Sequence, residues 1–279
     1  MSARRAVVGF LIAVGALAVV GGIASAKLRT RSDRTTITAH GNGSATAKCP
    51  HGSEAVAGGF SAPGFDPRFN GRSILSFTSK RTGNRRWKTQ GHNFSSTNPQ
   101  SGKLISYAYC NTHEPDLKVR SKSRVLSAFD PGSATAKCPR GSEAVSGGWT
   151  SPDAAGGGKA VFAVASQRIR ERKWKVFAYN NDQTSSQRLV AFAYCDKHEP
   201  GLNAESNDVK VPSGKKRSVT AHCRHGRKAV SGGFSARVDT NADGPFPFVS
   251  KRTKGGDWKA SAVGNGSGRH PFKVFAYCK

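Results

Sequence analysis

The strongest constraint on this chain is an internal repeat, because three copies of one unit follow one another. Each copy opens with a Cys that has a Gly three residues later. It continues with Ala-Val and a Gly-Gly-aromatic step, and closes on aromatic-Ala-Tyr-Cys. The opening cysteines stand at 49, 138 and 223, so the copies are spaced by 89 and 85 residues. Such agreement indicates duplication of one structural unit. The Gly-Gly-aromatic steps are Gly58-Gly59-Phe60, Gly147-Gly148-Trp149 and Gly232-Gly233-Phe234.

The segments within each copy are typical of β-strands. Residues 192–195 alternate large and small side chains, and residues 161–165 are short and apolar, while residues 153–158 are Gly-rich and predict a loop. Since we find no amphipathic helical stretch of about twelve residues after residue 26, we expect an all-β fold. Each copy is predicted to hold about five strands in a small antiparallel sandwich or barrel. The Gly-Gly pair indicates a bulge or a close backbone approach before an inward aromatic.

The six cysteines are predicted to pair within copies. Six cysteines allow 15 connectivities, and the threefold repetition favours one pair per copy. Closing a loop of this size stabilises a small unit by about 4 kcal/mol in the chain-entropy model. The competing interpretation is a metal site at His222, Cys223 and His225, but there is no Cys-x-x-Cys pair and the other copies lack an equivalent of His222, so no metal is predicted. The predicted disulfides are Cys49–Cys110, Cys138–Cys195 and Cys223–Cys278.

The first 26 residues have the pattern of an export signal. Arg4 and Arg5 precede an uncharged, mostly apolar run over residues 6–23, and Ala24-Ser25-Ala26 follows as a cleavage site. The alternative is an uncleaved N-terminal membrane anchor, since a run of this length is near the lower limit for crossing a bilayer. Either interpretation predicts a secreted or cell-surface protein in a compartment that permits disulfides.

The repeats and their spacers divide the chain into seven segments. The lead-in and the spacers are predicted from their position and from the Pro-containing steps at residues 113–118 and 198–203, which favour independent units with some freedom. The predicted segments are a signal peptide at 1–26, a lead-in at 27–39, repeats at 40–112, 129–197 and 215–279, and linkers at 113–128 and 198–214.

The chain is strongly basic, with 44 Lys and Arg against 17 Asp and Glu and a net charge of +27. Without the leader the net charge is +25, distributed as +12 over residues 27–124, +2 over 125–212 and +11 over 213–279. Such charge favours anionic partners: cell-wall phosphate polymers, acidic glycans, lipid headgroups or extracellular DNA. No nucleic-acid-binding motif is present, so no specific nucleic acid is predicted. Membrane contact is expected only through an uncleaved leader or surface charge.

A cation and a tryptophan recur together in every copy. Each Arg stands six residues before a Trp-Lys pair, a spacing compatible with a hairpin that brings them together. One interpretation is a cation and a flat ring presented side by side, to bind sugars by stacking or anions by charge. The other is an Arg packed over a half-buried Trp, which closes the edge of the unit. The candidate binding residues are Arg81, Trp87, Lys88, Arg168, Trp174, Lys175, Arg252, Trp258 and Lys259.

No catalytic set recurs in the three copies. Glu54 and Glu143 match in the first two copies, but the third has Arg227 there, and no His occurs in all three. Neither a cofactor motif nor a nucleophile motif is present. We therefore expect a non-enzymatic protein, without a cofactor, that binds anionic polymers or cell-wall glycans. The alternatives are an extracellular hydrolase of wall or glycan polymers and a structural surface protein without a ligand.

The complete pattern of Cys-Pro-x-Gly, Gly-Gly-aromatic, Trp and aromatic-Ala-Tyr-Cys resembles a repeat of secreted bacterial proteins of actinobacterial type, over roughly residues 40–279. Arg224 departs from it by replacing the Pro in the third copy. The resemblance implies export and β structure, and carries no agreed activity. The Cys-Pro-x-Gly and Gly-Phe steps are also similar to vitelline membrane outer layer protein, which has shorter repeats. That similarity implies, as an alternative, a single threefold β-prism.

Overall fold

The computed structural model describes residues 28–69, 71–95, 100–112, 116–154, 158–198 and 201–279. The predicted leader at 1–26 lies outside these residues. The described chain forms eighteen β-strands. Within those ranges, no helix has the length and apolar character that a membrane crossing requires.

Each repeat contributes six strands, which confirms the all-β prediction and adds one strand to the five expected per copy. The first repeat forms β1 (Arg29–Ile37), β2 (Asn42–Lys48), β3 (Glu54–Ser61), β4 (Ile74–Arg81), β5 (Arg86–Asn93) and β6 (Gly102–Asn111). The second forms β7 (Lys118–Leu126), β8 (Pro131–Lys137), β9 (Glu143–Thr150), β10 (Val161–Arg170), β11 (Lys173–Asn180) and β12 (Gln187–Asp196). The third forms β13 (Asn203–Pro212), β14 (Lys216–Ala221), β15 (Ala229–Ser235), β16 (Gly244–Arg252), β17 (Trp258–Asn265) and β18 (Arg269–Cys278).

The additional strand in each repeat lies where a lead-in or a linker was expected. Strands β1, β7 and β13 fall within residues 27–39, 113–128 and 198–214, which are therefore not free spacers. Each pairs antiparallel along its whole length with the closing strand of its own repeat, β6, β12 or β18. Their side chains are mostly polar and exposed, so they lack the apolar alternation that marks a strand in the sequence.

The eighteen strands form three six-stranded sheets, and every sheet is shared between two repeats. Sheet A has the order β1-β6-β3-β16-β17-β14, sheet B the order β2-β5-β4-β9-β12-β7, and sheet C the order β13-β18-β15-β10-β11-β8. Each repeat thus places three strands in one sheet and three in the next. The expectation of independent units is wrong, and the alternative of one fused threefold body describes this topology.

Three short strand pairings join the repeats into a closed ring. Strand β4 of the first repeat pairs with β9 of the second, through Thr78–Thr150 and Ser79–Trp149. Strand β10 of the second pairs with β15 of the third. Strand β16 of the third returns to β3 of the first. A repeat removed from this ring would leave two sheets with unpaired central edges.

The aromatic residues of the Gly-Gly steps meet at the centre of the ring. Phe60, Trp149 and Phe234 are buried and contact one another edge to face, with ring centroids 5.7, 5.8 and 6.1 Å apart. One aromatic side chain from each repeat therefore forms a shared core, and such edge-to-face pairs add to the stabilisation from burial.

The glycine pairs are required by two close approaches, as the sequence predicts. A Cβ on the first glycine would overlap the indole of Trp87, Trp174 or Trp258. A Cβ on the second glycine would overlap a backbone carbonyl of the neighbouring repeat, that of Ser250, Ser79 or Ser166. A bulge lies just before the glycines in the third strand of each repeat, because the pairing with the closing strand skips Val56, Val145 or Val230.

The three predicted disulfides are confirmed. Their Cα atoms are 5.6, 5.6 and 5.8 Å apart, within the usual range, and the described residues include no free cysteine. Each disulfide joins the loop after the second strand of a repeat to the end of its sixth strand. The bonds are Cys49–Cys110, Cys138–Cys195 and Cys223–Cys278.

Candidate functional site

The recurring arginine and tryptophan of each repeat do lie side by side. Arg81 and Trp87 are directly opposite in the β4–β5 hairpin, and the same register holds in the other two repeats. The spacing of six residues therefore reflects a hairpin, as expected. Residues opposite each other in an antiparallel pair face the same side of the sheet, and here that side is the interior. The equivalent pairs are Arg168–Trp174 and Arg252–Trp258.

The three indoles belong to the core and do not form a surface for stacking. Trp87, Trp174 and Trp258 are each 1% exposed. Each indole N–H donates a hydrogen bond of 2.9 Å to a serine hydroxyl of its own hairpin, so its polar group is also satisfied inside. A sugar cannot reach these rings, and the interpretation of a presented Trp beside a cation is corrected accordingly. The accepting residues are Ser79, Ser166 and Ser250.

Two of the three arginines form buried ion pairs. Arg81 pairs with Glu54, and Arg168 pairs with Glu143. Burial raises the pKa of Glu54, although the Arg81 guanidinium opposes that shift. Removing one partner of such a pair leaves an uncompensated buried charge, which is strongly destabilising. These two arginines are therefore structural and are not available to an external anion.

The strand registers correct the alignment of the third repeat by one residue. Ala55, Ala144 and Ala229 each pair with the closing Cys of their own repeat. The residue before each alanine is Glu54, Glu143 or Lys228, so Lys228 and not Arg227 replaces the glutamate. Arg227 instead forms an ion pair with Glu205 at 3.3 Å.

The lysines of the same motifs face outward and lie in directly opposed pairs. Lys80 is opposite Lys88 in sheet B, and Lys251 is opposite Lys259 in sheet A. All four side chains are half-buried. Like charges directly opposite on a sheet destabilise it. In the second repeat the corresponding pair is Gln167–Lys175, with a single charge.

Each lysine pair lies beside an aromatic ring of another repeat. The Lys80 Nζ is 5.3 Å from the ring centroid of Phe192, and the Lys251 Nζ is 5.4 Å from that of Tyr107. Both rings are half-buried on the outer sheet face. We name these two clusters, Lys80/Lys88/Phe192 and Lys251/Lys259/Tyr107, the outer lysine clusters. They have the composition expected of a cation-plus-ring site, built from other residues than the predicted arginines and tryptophans.

The surroundings of Lys80 disfavour its charged form. Burial lowers the pKa of the Lys80 ammonium, and the nearby charge of Lys88 lowers it further. An anion bound between the two ammonium groups would relieve this repulsion.

A second cationic surface lies on β7, the edge strand that was expected to be a linker. Its cations occur at every second residue, so they lie on one face of the strand at intervals of about 6.7 Å. Lys118 pairs with the exposed Asp116, and the other three form no ion pair within the described chain. The feature of the sequence that could have identified this surface is the recurrence of a cation at every second residue. The four residues are Lys118, Arg120, Lys122 and Arg124.

Assigning β7 to the second repeat changes the distribution of charge. Residues 27–112 then have a net charge of +10, residues 113–197 of +6 and residues 198–279 of +9. The middle repeat is basic like its neighbours, because the near-neutral value depended on counting β7 with the first repeat and the acidic residues around β13 with the second.

One cavity contains two carboxyl groups and bears on the hydrolase alternative. It has a volume of about 330 Å³ and is lined by Glu143, Glu171 and Arg172 among others. Glu143 accepts hydrogen bonds from the backbone N–H groups of Gly201 (2.8 Å) and Leu202 (3.2 Å), in addition to its ion pair. Both of its oxygens are thus engaged in holding the chain, which leaves this carboxylate unsuited to general acid–base work.

The third-repeat His/Cys group forms no metal site. Cys223 is bonded to Cys278, and His222 Nδ1 lies 2.9 Å from a carboxylate oxygen of Asp257. Across the ranges that the structure describes, no group of three or more His, Cys, Asp or Glu side chains is arranged to hold a metal ion.

No protein-family model matches the chain, and none of the curated proteins compared with it shows significant similarity.

Proposed function

We propose that this protein is an exported, non-enzymatic binding protein for anionic polymers of the cell surface, and that the outer lysine clusters contact the polymer. The observation that carries the proposal is the opposition of Lys80 to Lys88 and of Lys251 to Lys259 beside an exposed part of a ring. Acidic glycans combine the two features that such a cluster recognises. Their anionic groups attract the lysines, and their sugar faces can stack on the ring.

The loss of sheet stability that the lysine pairs cause supports a functional role for them. Directly opposed like charges reduce the stability of a sheet, and they persist in two of the three equivalent hairpins. Solubility alone needs no such opposition, since cations on alternate outer positions would serve equally. A bound anionic group would convert the repulsion into attraction.

Export supports the same class of partner. Three disulfides are typical of a protein that matures in an oxidising compartment. Together with the leader-like residues 1–26, they favour secretion or display at the cell surface, where phosphate polymers and acidic glycans are abundant ligands. Nucleic acid and lipid headgroups would be held by charge alone, without specificity.

The experiment is retention on immobilised heparin and on purified cell wall over a salt gradient. A variant with all four cluster lysines changed to Gln should elute from both at markedly lower salt than the unmodified protein. Replacing Phe192 and Tyr107 by Leu should weaken retention on the glycan while leaving retention on inorganic polyphosphate unchanged. The first variant carries Lys80→Gln, Lys88→Gln, Lys251→Gln and Lys259→Gln.

The matched control changes four exposed lysines that lie outside the clusters and loses the same charge. It should elute close to the unmodified protein. Equal elution of the two quadruple variants would contradict the role of the clusters, and flow-through of the unmodified protein at low salt would leave a structural surface protein as the better description. The control carries Lys48→Gln, Lys137→Gln, Lys210→Gln and Lys254→Gln.

A further inference from the structure

Arg252 is the one member of the buried arginine set that has lost its internal anion. Its backbone N–H donates to the Tyr109 hydroxyl at 2.7 Å, as expected from the other repeats. Its guanidinium forms no hydrogen bond or ion pair within the described chain, and its Nε is buried without a partner. The glutamate that serves the other two arginines is replaced by Lys228.

The first two repeats show what this position normally holds. The Arg81 guanidinium binds Glu54 and, at 3.4 Å, the carbonyl oxygen of Leu117. The Arg168 guanidinium binds Glu143 and, at 2.6 Å, the carbonyl oxygen of Leu202. In both, a carboxylate and a carbonyl accept from the terminal N–H groups of the side chain, while the Arg81 Nε, like that of Arg252, has no partner. The terminal N–H groups of Arg252 therefore lack both kinds of acceptor within the described chain.

No neighbouring carboxylate substitutes for the missing one. The charge of Asp257 acts on Arg252, but one Asp257 oxygen lies 2.9 Å from His222 Nδ1 and the other accepts the Cys223 N–H at 3.1 Å. Lys228 takes the place of the lost glutamate in the strand register, but its side chain is exposed, with its stem against Gly256. Burial lowers the pKa of the Arg252 guanidinium, while Tyr109 and Asp257 oppose that shift, so the charge is incompletely compensated.

We infer that Arg252 and Lys228 form a binding site for one oxyanion group: a sulfate, a phosphate or a carboxylate. The planar guanidinium offers two parallel N–H donors to such a group, and the exposed Lys228 side chain is long and flexible enough to bring its ammonium to the bound anion. The site goes beyond the polymer-binding proposal because it lies in the third repeat only and needs no polymer.

The test is a titration of the full-length mature protein with sodium sulfate at constant ionic strength, followed by calorimetry. We expect saturable binding to the unmodified protein. Lys228→Glu should restore the internal ion pair, raise the melting temperature in the absence of sulfate and lower the sulfate affinity at least tenfold. The control Lys254→Glu makes the same change of charge at an exposed position nearby. It should leave the melting temperature and the sulfate affinity unchanged.

Absence of saturable sulfate binding, or equal affinity of the Lys228→Glu variant, would overturn the inference. Arg252→Gln provides a second variant, and it should lose sulfate binding if it remains folded. A sulfated disaccharide serves as a second probe: tighter binding than inorganic sulfate would identify the anion as part of a glycan, and equal affinity would identify a free ion. Heparin retention without sulfate binding would refute this site alone, and the reverse would refute the outer lysine clusters alone.

Discussion

The hydroxyl of Tyr194 accepts a hydrogen bond of 2.7 Å from the backbone N–H of Arg81, although the two residues belong to different repeats. The same bond, also at 2.7 Å, joins Tyr277 to Arg168 and Tyr109 to Arg252. Each repeat thus donates to the next around a closed ring. The three tyrosines are buried, and burial raises the pKa of each phenol well above its usual value.

Removing one of these hydroxyls should weaken one junction. In Tyr194→Phe the Arg81 N–H would be left buried without an acceptor, and we expect a loss of about 1–2 kcal/mol in the free energy of unfolding. Urea denaturation measures the loss. Tyr107→Phe is the control, because the equivalent residues of the other repeats, Phe192 and Phe275, already lack a hydroxyl. A Tyr194→Phe protein as stable as this control would show that the junction bond contributes nothing.

The second glycine of each pair should tolerate no side chain. A Cβ at Gly59 would overlap the carbonyl oxygen of Ser250 on the paired strand of the third repeat, and a backbone atom cannot move aside as a side chain can. We expect Gly59→Ala to destabilise the protein by at least about 2 kcal/mol. In the control Gly255→Ala, the nearest atom is 3.8 Å from the new Cβ, and the stability should change little. Equal melting temperatures for the two variants would contradict this packing.

Stability should fall in mild acid because of His92. Burial, and the nearby charge of His40, lower the pKa of His92 to about 4 from the ordinary 6.5. Since the unfolded chain binds the proton more readily, stability is lost as the pH falls from about 6.5 to about 4, by up to about 3 kcal/mol. Comparing urea denaturation at pH 7 and pH 4.5 should show a smaller loss for His92→Gln, and an unchanged loss for the exposed control His51→Gln. An identical loss in all three proteins would refute the assignment.

At the outer lysine clusters, a substitution that raises the stability of the protein should weaken its binding to anionic polymers. Lys88→Glu places a carboxylate opposite Lys80, and we expect about 0.5–1 kcal/mol of added stability together with weaker heparin retention. The control Lys175→Glu faces Gln167, relieves no repulsion and should stabilise less. Thermal denaturation measures both changes. Lower stability of Lys88→Glu than of Lys175→Glu would show that the lysine pair carries no strain.

The sequence predicts those features of the fold whose residues recur in all three copies. The cysteine pairing, the hairpin between Arg81 and Trp87, and the close approach at Gly59 all follow from residues that recur at fixed spacing. Repetition works as an internal comparison, because a constraint of the fold has to be met in every copy.

The sharing of sheets between repeats was not predictable in the same way. A strand such as β4 has the same local pattern whether its neighbour comes from its own repeat or from the next one. The exposed strands β1, β7 and β13 also escape detection, since an edge strand rich in basic and polar residues lacks apolar alternation.

The candidate site was only partly predictable. The sequence places Arg81, Trp87 and Lys88 close together, but it does not show which of them face inward. Because Trp87 is buried, the ring that lies beside the lysines at the surface is that of Phe192 and not the indole. Phe192 lies on another repeat, so the pairing with Lys80 depends on the closed ring. The loss of the glutamate in the third repeat was visible in the sequence but was assigned to Arg227; the strand register was needed to place Lys228 there, and the ion pairs of the other two repeats to give the loss its meaning.

The most direct test of the closed ring is amide hydrogen exchange in increasing urea, read by mass spectrometry of peptides from the six junction strands. If the ring is closed, peptides from β3, β4, β9, β10, β15 and β16 should converge on one free energy of opening, because no repeat can unfold without exposing the edges of the other two. One repeat whose junction strands open at a distinctly lower free energy, while the other two remain protected, would contradict the closed ring and with it the outer lysine clusters that it builds.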